Sequence, residues 1–305
     1  MHTTKKHHWG VLYGIVLVLF TAFVLLDTFV IPRKYADVGD TQSSSSDTQT
    51  DDSSSADSSG AAVTDTSYDD GNTTITLITT RYCDTTVYVA DITLSSADAL
   101  KTALAGNSYG KNITATTSSI AESHGAIVAI NGDYYGAQNS GYVIRNGTLL
   151  RDTAASADQE DLVIGSDGSF SIVKEGDVTA QELLEGGASQ VLSFGPGLVE
   201  DGAISVGTHT EVGKAMTSNP RTAIGEIAPL HYVMVVADGR TQASTGLSLY
   251  ELAEFMQGLG VTTAYNLDGG GSSTLYFNGQ VVNNPTTNGK TISERKVSDI
   301  VYIGT

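Results

Sequence analysis

Cysteine is almost missing from this 305-residue chain: Cys83 stands alone, which excludes an internal disulfide framework and any metal site built on several thiolates. Tryptophan occurs once and proline five times. Cationic residues are scarce, with 16 Lys and Arg against 34 Asp and Glu and a formal net charge of −18. No basic run of useful length exists, which argues against nucleic acid as a partner. His124, His209 and His231 are scattered without ligand spacing, so no metal set is expected. No phosphate loop or dinucleotide fingerprint is present, and no cofactor is expected. GNSYG, residues 106–110, matches a nucleophile-elbow string but does not follow a buried strand. What remains is 40% apolar, enough for a core, and rich in Gly and Tyr, at 33 and 14 residues.

The one long apolar run lies at the N-terminus. Residues 9–31 carry a single charge, Asp27, close to the run's end. As a helix the run is about 34 Å long, enough to cross a hydrocarbon layer of roughly 30 Å. No small-residue cleavage site follows it, so an uncleaved anchor is expected rather than a signal peptide. Lys5 and Lys6 balance Arg33 and Lys34, and flanking charge does not set the orientation. Residues 37–70 contain nine Asp, no Lys or Arg, and many Ser and Thr. Such composition cannot bury enough apolar surface to fold and reads as a disordered, self-repelling spacer. The expected organisation is a cytoplasmic tail over 1–8, a transmembrane anchor over 9–31, a linker over 32–70, and an extracellular domain over 71–305.

That last region holds 12 basic and 24 acidic residues. Short strands dominate its pattern, at Thr74–Thr79, Thr86–Leu94, Ala126–Ile130, Tyr142–Arg145, Asp161–Ile164, Phe170–Lys174, Gly197–Val199, Thr222–Ile227, His231–Ala237, Thr274–Phe277 and Asp299–Ile303. Asn146-Gly147, Asp167-Gly168, Asp201-Gly202 and Asn278-Gly279 are hairpin dipeptides. Helices are expected over Asp98–Ala105, Thr117–Ser123 and Leu249–Leu259. The last has Ser248 and Glu251 in capping-box spacing and an apolar stripe that belongs to a core. Strands and helices mixed this irregularly indicate an α+β fold of strand-rich mixed sheets with a few packed helices.

Polar residues hang on the ends of apolar strands in four segments: AINGDYYG (129–136), NPRTAIG (219–225), VVADGR (235–240) and NLDGGGSS (266–273). Rigid strands that end in polar loops are the usual scaffold of a site. Three consecutive glycines, Gly269, Gly270 and Gly271, followed by Ser272, allow backbone amides to converge on an anion; a tight turn capped by Asp268 explains the string equally well. Arg221, fixed behind Pro220, suits a bidentate phosphate contact or a surface ion pair. Asp133 and Asp238 flank glycines and read either as turn residues or, with Asp268, as carboxylates for cleaving a glycosidic bond.

Taken together, these four strings resemble the phosphodiester glycosidase family, the uncovering-enzyme type, in their order and in the helix between the last two. The shortage of cysteine differs from the animal members and fits a bacterial one. The resemblance implies a hydrolase that cleaves a sugar-1-phosphodiester, such as an α-N-acetylglucosamine-1-phosphodiester, at the anomeric C–O bond, in cell-surface or exopolysaccharide material. It implies Asp268 and Asp133 as catalytic carboxylates. Arg221, Gly269, Gly270, Gly271 and Ser272 would bind phosphate, and Asn131, Asp238 and Arg240 would bind or support substrate. The competing reading is a non-catalytic module that binds surface glycan. An enzyme that cuts the P–O bond is disfavoured, because that chemistry mostly uses metal clusters of His and Asp.

Overall fold

The computed structural model of the chain describes residues 7–38, 61–212 and 218–304. An N-terminal helix, His7–Phe29, is followed at once by a short strand, Arg33–Asp37. Folded structure resumes at Ala62–Val63 and Ser67–Asp69, which pair into the main sheet, so the folded unit begins ahead of Gly71, the boundary that composition suggests. Of the expected linker, residues 39–60 lie outside the described residues.

The main sheet is antiparallel and has nine strands. Its centre is formed by Gly197–Glu200, Thr263–Leu267, Arg221–Ala228, His231–Ala237, Thr85–Leu94 and Thr73–Tyr82, in that order. A five-stranded sheet packs on one face, ordered Gln280–Val281, Leu275–Phe277, Ala126–Asn131, Asp299–Gly304 and Leu100–Leu104. Ile92, Met234 and Val236 from the first sheet meet Val128, Ile130, Val301 and Ile303 from the second in one core. Helix Leu249–Gly258 covers the other face of the main sheet, with Leu252, Ala253 and Met256 against Val233 and Val235. Helix Thr117–Ser123 likewise covers the outer face of the five-stranded sheet through Ile120 and Ala121. Central strands are thus buried on both faces, which explains why AIVAI and HYVMVVA read as unbroken apolar runs rather than alternating ones. A third sheet, of five strands, carries Val143–Arg145, Ala188–Leu192 and Glu160–Gly165 at its centre.

Each of the four hairpin dipeptides joins two paired strands. Asn146, Asp201 and Asn278 have φ near +50°, as do few residues other than Gly, Asn and Asp. Capping boxes close helix Leu249–Gly258 at Ser248 and Glu251 and a further helix, Ala180–Glu185, at Thr179 and Glu182. The helix expected over Asp98–Ala105 is instead a single turn at Ala97–Ala99 followed by the strand Leu100–Leu104. Five residues of that strand pair with Asp299–Ile303, and this ladder outweighs a weak local helix preference.

Candidate functional site

Register brings the site together. Arg221 opens its strand opposite Ala237, so Asp238 follows directly beside it, and Thr222 opposes Leu267, so Asp268 leaves the next strand at the same edge. Asn131 ends a strand of the neighbouring sheet there. Its side-chain amide donates to the backbone carbonyl of Asp268 (2.6 Å), and its carbonyl accepts from Thr222 Oγ1 (2.9 Å) and Thr274 N (3.2 Å). Asn131 is therefore a fully buried brace between the two sheets, fixing the loop that bears Asp268.

A cleft of about 200 Å³ lies over this edge, lined by Phe194, Val212, Asn219, Arg221, Arg240, Leu267, Asp268, Gly269, Gly270 and Arg295. Three guanidinium groups and one carboxylate share it. Arg221 is only 3% exposed; its Nε donates to Leu247 O (2.8 Å) and its Nη2 to Glu211 (3.4 Å). Arg240, in the left-handed region at φ +62°, donates from Nη2 to Asn219 Oδ1 (3.0 Å) and from Nη1 to Thr287 O (2.7 Å). Arg295 donates from Nη2 to Asp268 Oδ2 (2.9 Å) and from Nε to Ser272 Oγ (2.8 Å). Burial lowers the pKa of Arg240, and the neighbouring charge of Arg295 lowers it further. Like charges held this close in a chain of net charge −18 make a local anion trap.

Asp268 is 8% exposed. Burial raises its pKa above the ordinary carboxyl value, and Arg295, with the Ser272 hydroxyl and the Gly269 amide donating to it, draws it partway back. A carboxylate so placed has one oxygen on a guanidinium and a flank open to the cleft. The three glycines serve close approach more than an amide cradle. Gly270 N donates to Pro220 O (2.8 Å) and Ser272 N to Gly269 O (3.3 Å), so these amides are used inside the turn. A Cβ on Gly269 would come within 2.9 Å of Pro220 O, and one on Gly270 within 2.9 Å of Arg240 Nη2; Gly270 also has φ +62°.

Asp133 and Asp238 stand elsewhere. Asp133 is 1% exposed, outside the lining of the cleft; its Oδ2 accepts from Arg145 Nη2 (2.8 Å) and Ser193 N (2.9 Å), and its Oδ1 from Tyr135 N (3.0 Å). Asp299 shares the same guanidinium at 2.8 Å. Burial, then the nearby Asp133 charge, raises the Asp299 pKa to about 7, with Arg145 opposing. Asp161, on the same side of the core, is wholly buried without a well-formed hydrogen bond to either oxygen, and burial pushes its pKa up to about 8. Asp238 accepts from Asn284 N (2.9 Å), Asn283 Nδ2 (3.2 Å) and Tyr88 OH (3.3 Å), tying the loop after Val281 to the main sheet. Among the described residues no group of three or more His, Cys, Asp or Glu is placed to hold a metal ion.

Arg295 escapes sequence reasoning. It sits in TISERKVSD, an ordinary charged stretch, and reaches the cleft because its backbone amide bonds Gly271 O (3.2 Å). The only available signal was its rarity as a cation in an acidic domain.

The phosphodiester glycosidase family model matches residues 124–304. A prophage-derived uncharacterised protein of Bacillus subtilis strain 168, YomE, is 29% identical over 180 residues, covering 58% of this chain and 28% of that protein. Human N-acetylglucosamine-1-phosphodiester alpha-N-acetylglucosaminidase is 44% identical over 66 residues, 22% of this chain and 13% of that one. The chain thus spans less than a third of the length of these curated relatives. The zebrafish enzyme's catalytic domain, solved in a form auto-inhibited by its pro-peptide, has a TM-score of 0.61 at 20% identity, covering 76% of this chain and 83% of that one; at this identity the likeness is one of fold. A hypothetical protein from Synechocystis superposes at a TM-score of 0.53 and 15% identity, covering 76% and 62%.

Proposed function

The chain belongs to the phosphodiester glycosidase family, and from that premise we propose that it hydrolyses a sugar-1-phosphodiester at the anomeric C–O bond. The observation that carries this reading is the pairing of three arginines with a single buried carboxylate in one cleft. Arg221, Arg240 and Arg295 hold the phosphate, and none of them deprotonates at any physiological pH. A phosphate diester departs as a stable monoester anion, so no general acid is required. Asp268 stabilises the positive charge that develops at the anomeric carbon, as nucleophile or as base for water. Ser272 and Arg295 orient it. Asn131 braces it from below, Asp238 secures the neighbouring loop, and Asp133 acts through the Arg145 ion pair as a structural support rather than on substrate.

The names of the vertebrate relatives make N-acetylglucosamine-1-phosphodiester the first substrate to try. The helix Trp9–Phe29 is apolar and long enough to span a bilayer, and we read it as an anchor that holds the domain at the cell exterior. The test is release of free sugar from an N-acetylglucosamine-1-phosphodiester by the detergent-solubilised chain, with Asp268→Asn beside it. In 18O-water the label enters the sugar if the C–O bond breaks. Label in the phosphate, or saturable glycan binding without product, would overturn the reading.

A further inference from the structure

The anchor does not simply trail away from the folded domain. Directly after the N-terminal helix, Arg33–Asp37 adds an antiparallel strand to Ser108–Lys111, with Arg33 opposite Lys111 and Asp37 opposite Ser108. Val38 N continues the ladder to Asn107 O (3.0 Å). The Tyr35 ring lies 5.8 Å from that of Tyr109, which stacks on Tyr135 at 5.4 Å. Asn112 Nδ2 reaches the last turn itself, donating to Ile31 O (3.3 Å) and Thr28 O (3.4 Å). Gly110 lets the two strands approach: a Cβ there would collide with the backbone carbonyl of Arg33 and also crowd Ile113 Cδ1 at 2.8 Å. A ladder, an aromatic stack and a side-chain bridge therefore clasp the domain to the end of the helix. Only Val30, Ile31 and Pro32 intervene between helix and strand.

The clasp limits how far the cleft can stand from the end of the helix. Arg295 is two residues from Val297, which bridges Ala115, and Ala115 is three residues from Asn112. At full extension that path is about 22 Å, in a domain about 45 Å across. The cations of the clasp are used within it: Arg33 pairs with Asp27 of the helix, Lys34 with Asp37 of the same strand, and Lys111 Nζ donates to Asn139 Oδ1 (3.1 Å).

We propose, building on the hydrolase and anchor readings above, that the substrate is a sugar-1-phosphodiester whose alcohol is a lipid of the same bilayer, presented to the cleft by this juxtamembrane clasp. Water attacks the anomeric carbon, the C–O bond breaks, and free sugar leaves while the monoester phosphate stays on the lipid. The full chain would be reconstituted in phosphatidylcholine–phosphatidylglycerol vesicles and offered two probes: N-acetylglucosamine-1-phosphate esterified to a long-chain alcohol in those vesicles, and its soluble methyl diester. The expected kcat/KM ratio favours the vesicle-borne probe by tenfold or more. Tyr35→Ala, and separately the pair Lys34→Pro with Ala36→Pro, both lying wholly outside the domain, should cut that ratio at least threefold. Their turnover of the methyl diester should be unchanged, which also reports that they fold. A preference for the methyl diester, or a ratio untouched in both variants, would overturn the proposal while leaving the hydrolase reading intact. Failure of the full chain on both probes would remove the hydrolase reading and this proposal with it.

Discussion

Arg295 offers the sharpest test of the site. Its guanidinium makes charge-assisted hydrogen bonds to Asp268 Oδ2 at 2.9 Å and to Ser272 Oγ at 2.8 Å. Such bonds contribute about 1.5–3 kcal/mol each when buried. The Arg295 side chain is 41% exposed, so the low end applies, about 1.5 kcal/mol on the ionised form of Asp268. Since a pH unit corresponds to about 1.4 kcal/mol, Arg295→Gln should raise the Asp268 pKa by about one unit. Burial already holds that pKa above the ordinary carboxyl value and Arg295 opposes burial, so removing the guanidinium and raising the pKa have the same sign. On the proposed mechanism Asp268 works as the carboxylate, hence the acid limb of the pH profile of kcat/KM should move upward by about one unit. The plateau should fall by about a hundredfold or more from the lost phosphate contact. Steady-state release of sugar between pH 4 and 8, for parent and variant, measures both. A lowered plateau with an unmoved acid limb would refute the argument that Arg295 holds Asp268, and an unmoved plateau would take Arg295 out of the phosphate site.

Other outcomes follow from the same geometry. Arg221→Ala should lower kcat/KM by about a hundredfold in steady-state assays, the scale of one preorganised charge contact. Gly270→Ala strains a backbone at φ +62° and sets a methyl against Arg240 Nη2, so it should cost at least about tenfold in kcat/KM, seen alongside an unchanged fold by circular dichroism. Asp133→Asn weakens a buried charge-assisted hydrogen bond to Arg145, which Asp299 still compensates, and should destabilise the domain by about 1–3 kcal/mol in urea unfolding, a stability effect rather than a purely kinetic one. Asp161 and Asp299 have folded pKa values raised to about 8 and about 7, above their unfolded values near 3.9, so the folded state binds the extra protons. Their contribution to stability is fully present below about pH 4 and is lost as pH rises through about 7 to 8. The thermal midpoint should accordingly fall between pH 5 and pH 8, and Asp161→Asn should flatten that fall.

Much of the fold was legible because its central strands are covered on both faces and its hairpins turn on Asn-Gly and Asp-Gly. His231–Ala237 and Phe170–Lys174 have the bounds their sequence pattern suggests. Leu100–Leu104 was not legible: ALKTALA fits helical and strand spacing alike, and only its partner Asp299–Gly304, far along the chain, decides between them. Thr179-x-x-Glu182 carried a readable capping signal ahead of a helix of only six residues, too short for periodicity to stand out. In the site, strand-end position pointed to Asp268, Arg221 and Arg240, all of which line the cleft. The same rule could not separate Asp133, whose partner Arg145 faces inward from another sheet, nor reach Arg295, whose place depends on a loop folding back onto Gly271. Local pattern reports which residues end a strand; it does not report which of them the tertiary fold leaves open.

The pairing of Arg33–Asp37 with Ser108–Lys111 also bears on how the domain could ever be shed. On the proposed anchor, a protease that cut between Val38 and Ala62 would sever the covalent link to the membrane but not the strand, the tyrosine stack or the Asn112 bridge. Release would then need two events in series: a peptide bond broken, and a five-residue strand peeled from its edge. The second is reversible and answers to temperature and denaturant, so nicked protein would stay with the membrane until the strand was displaced.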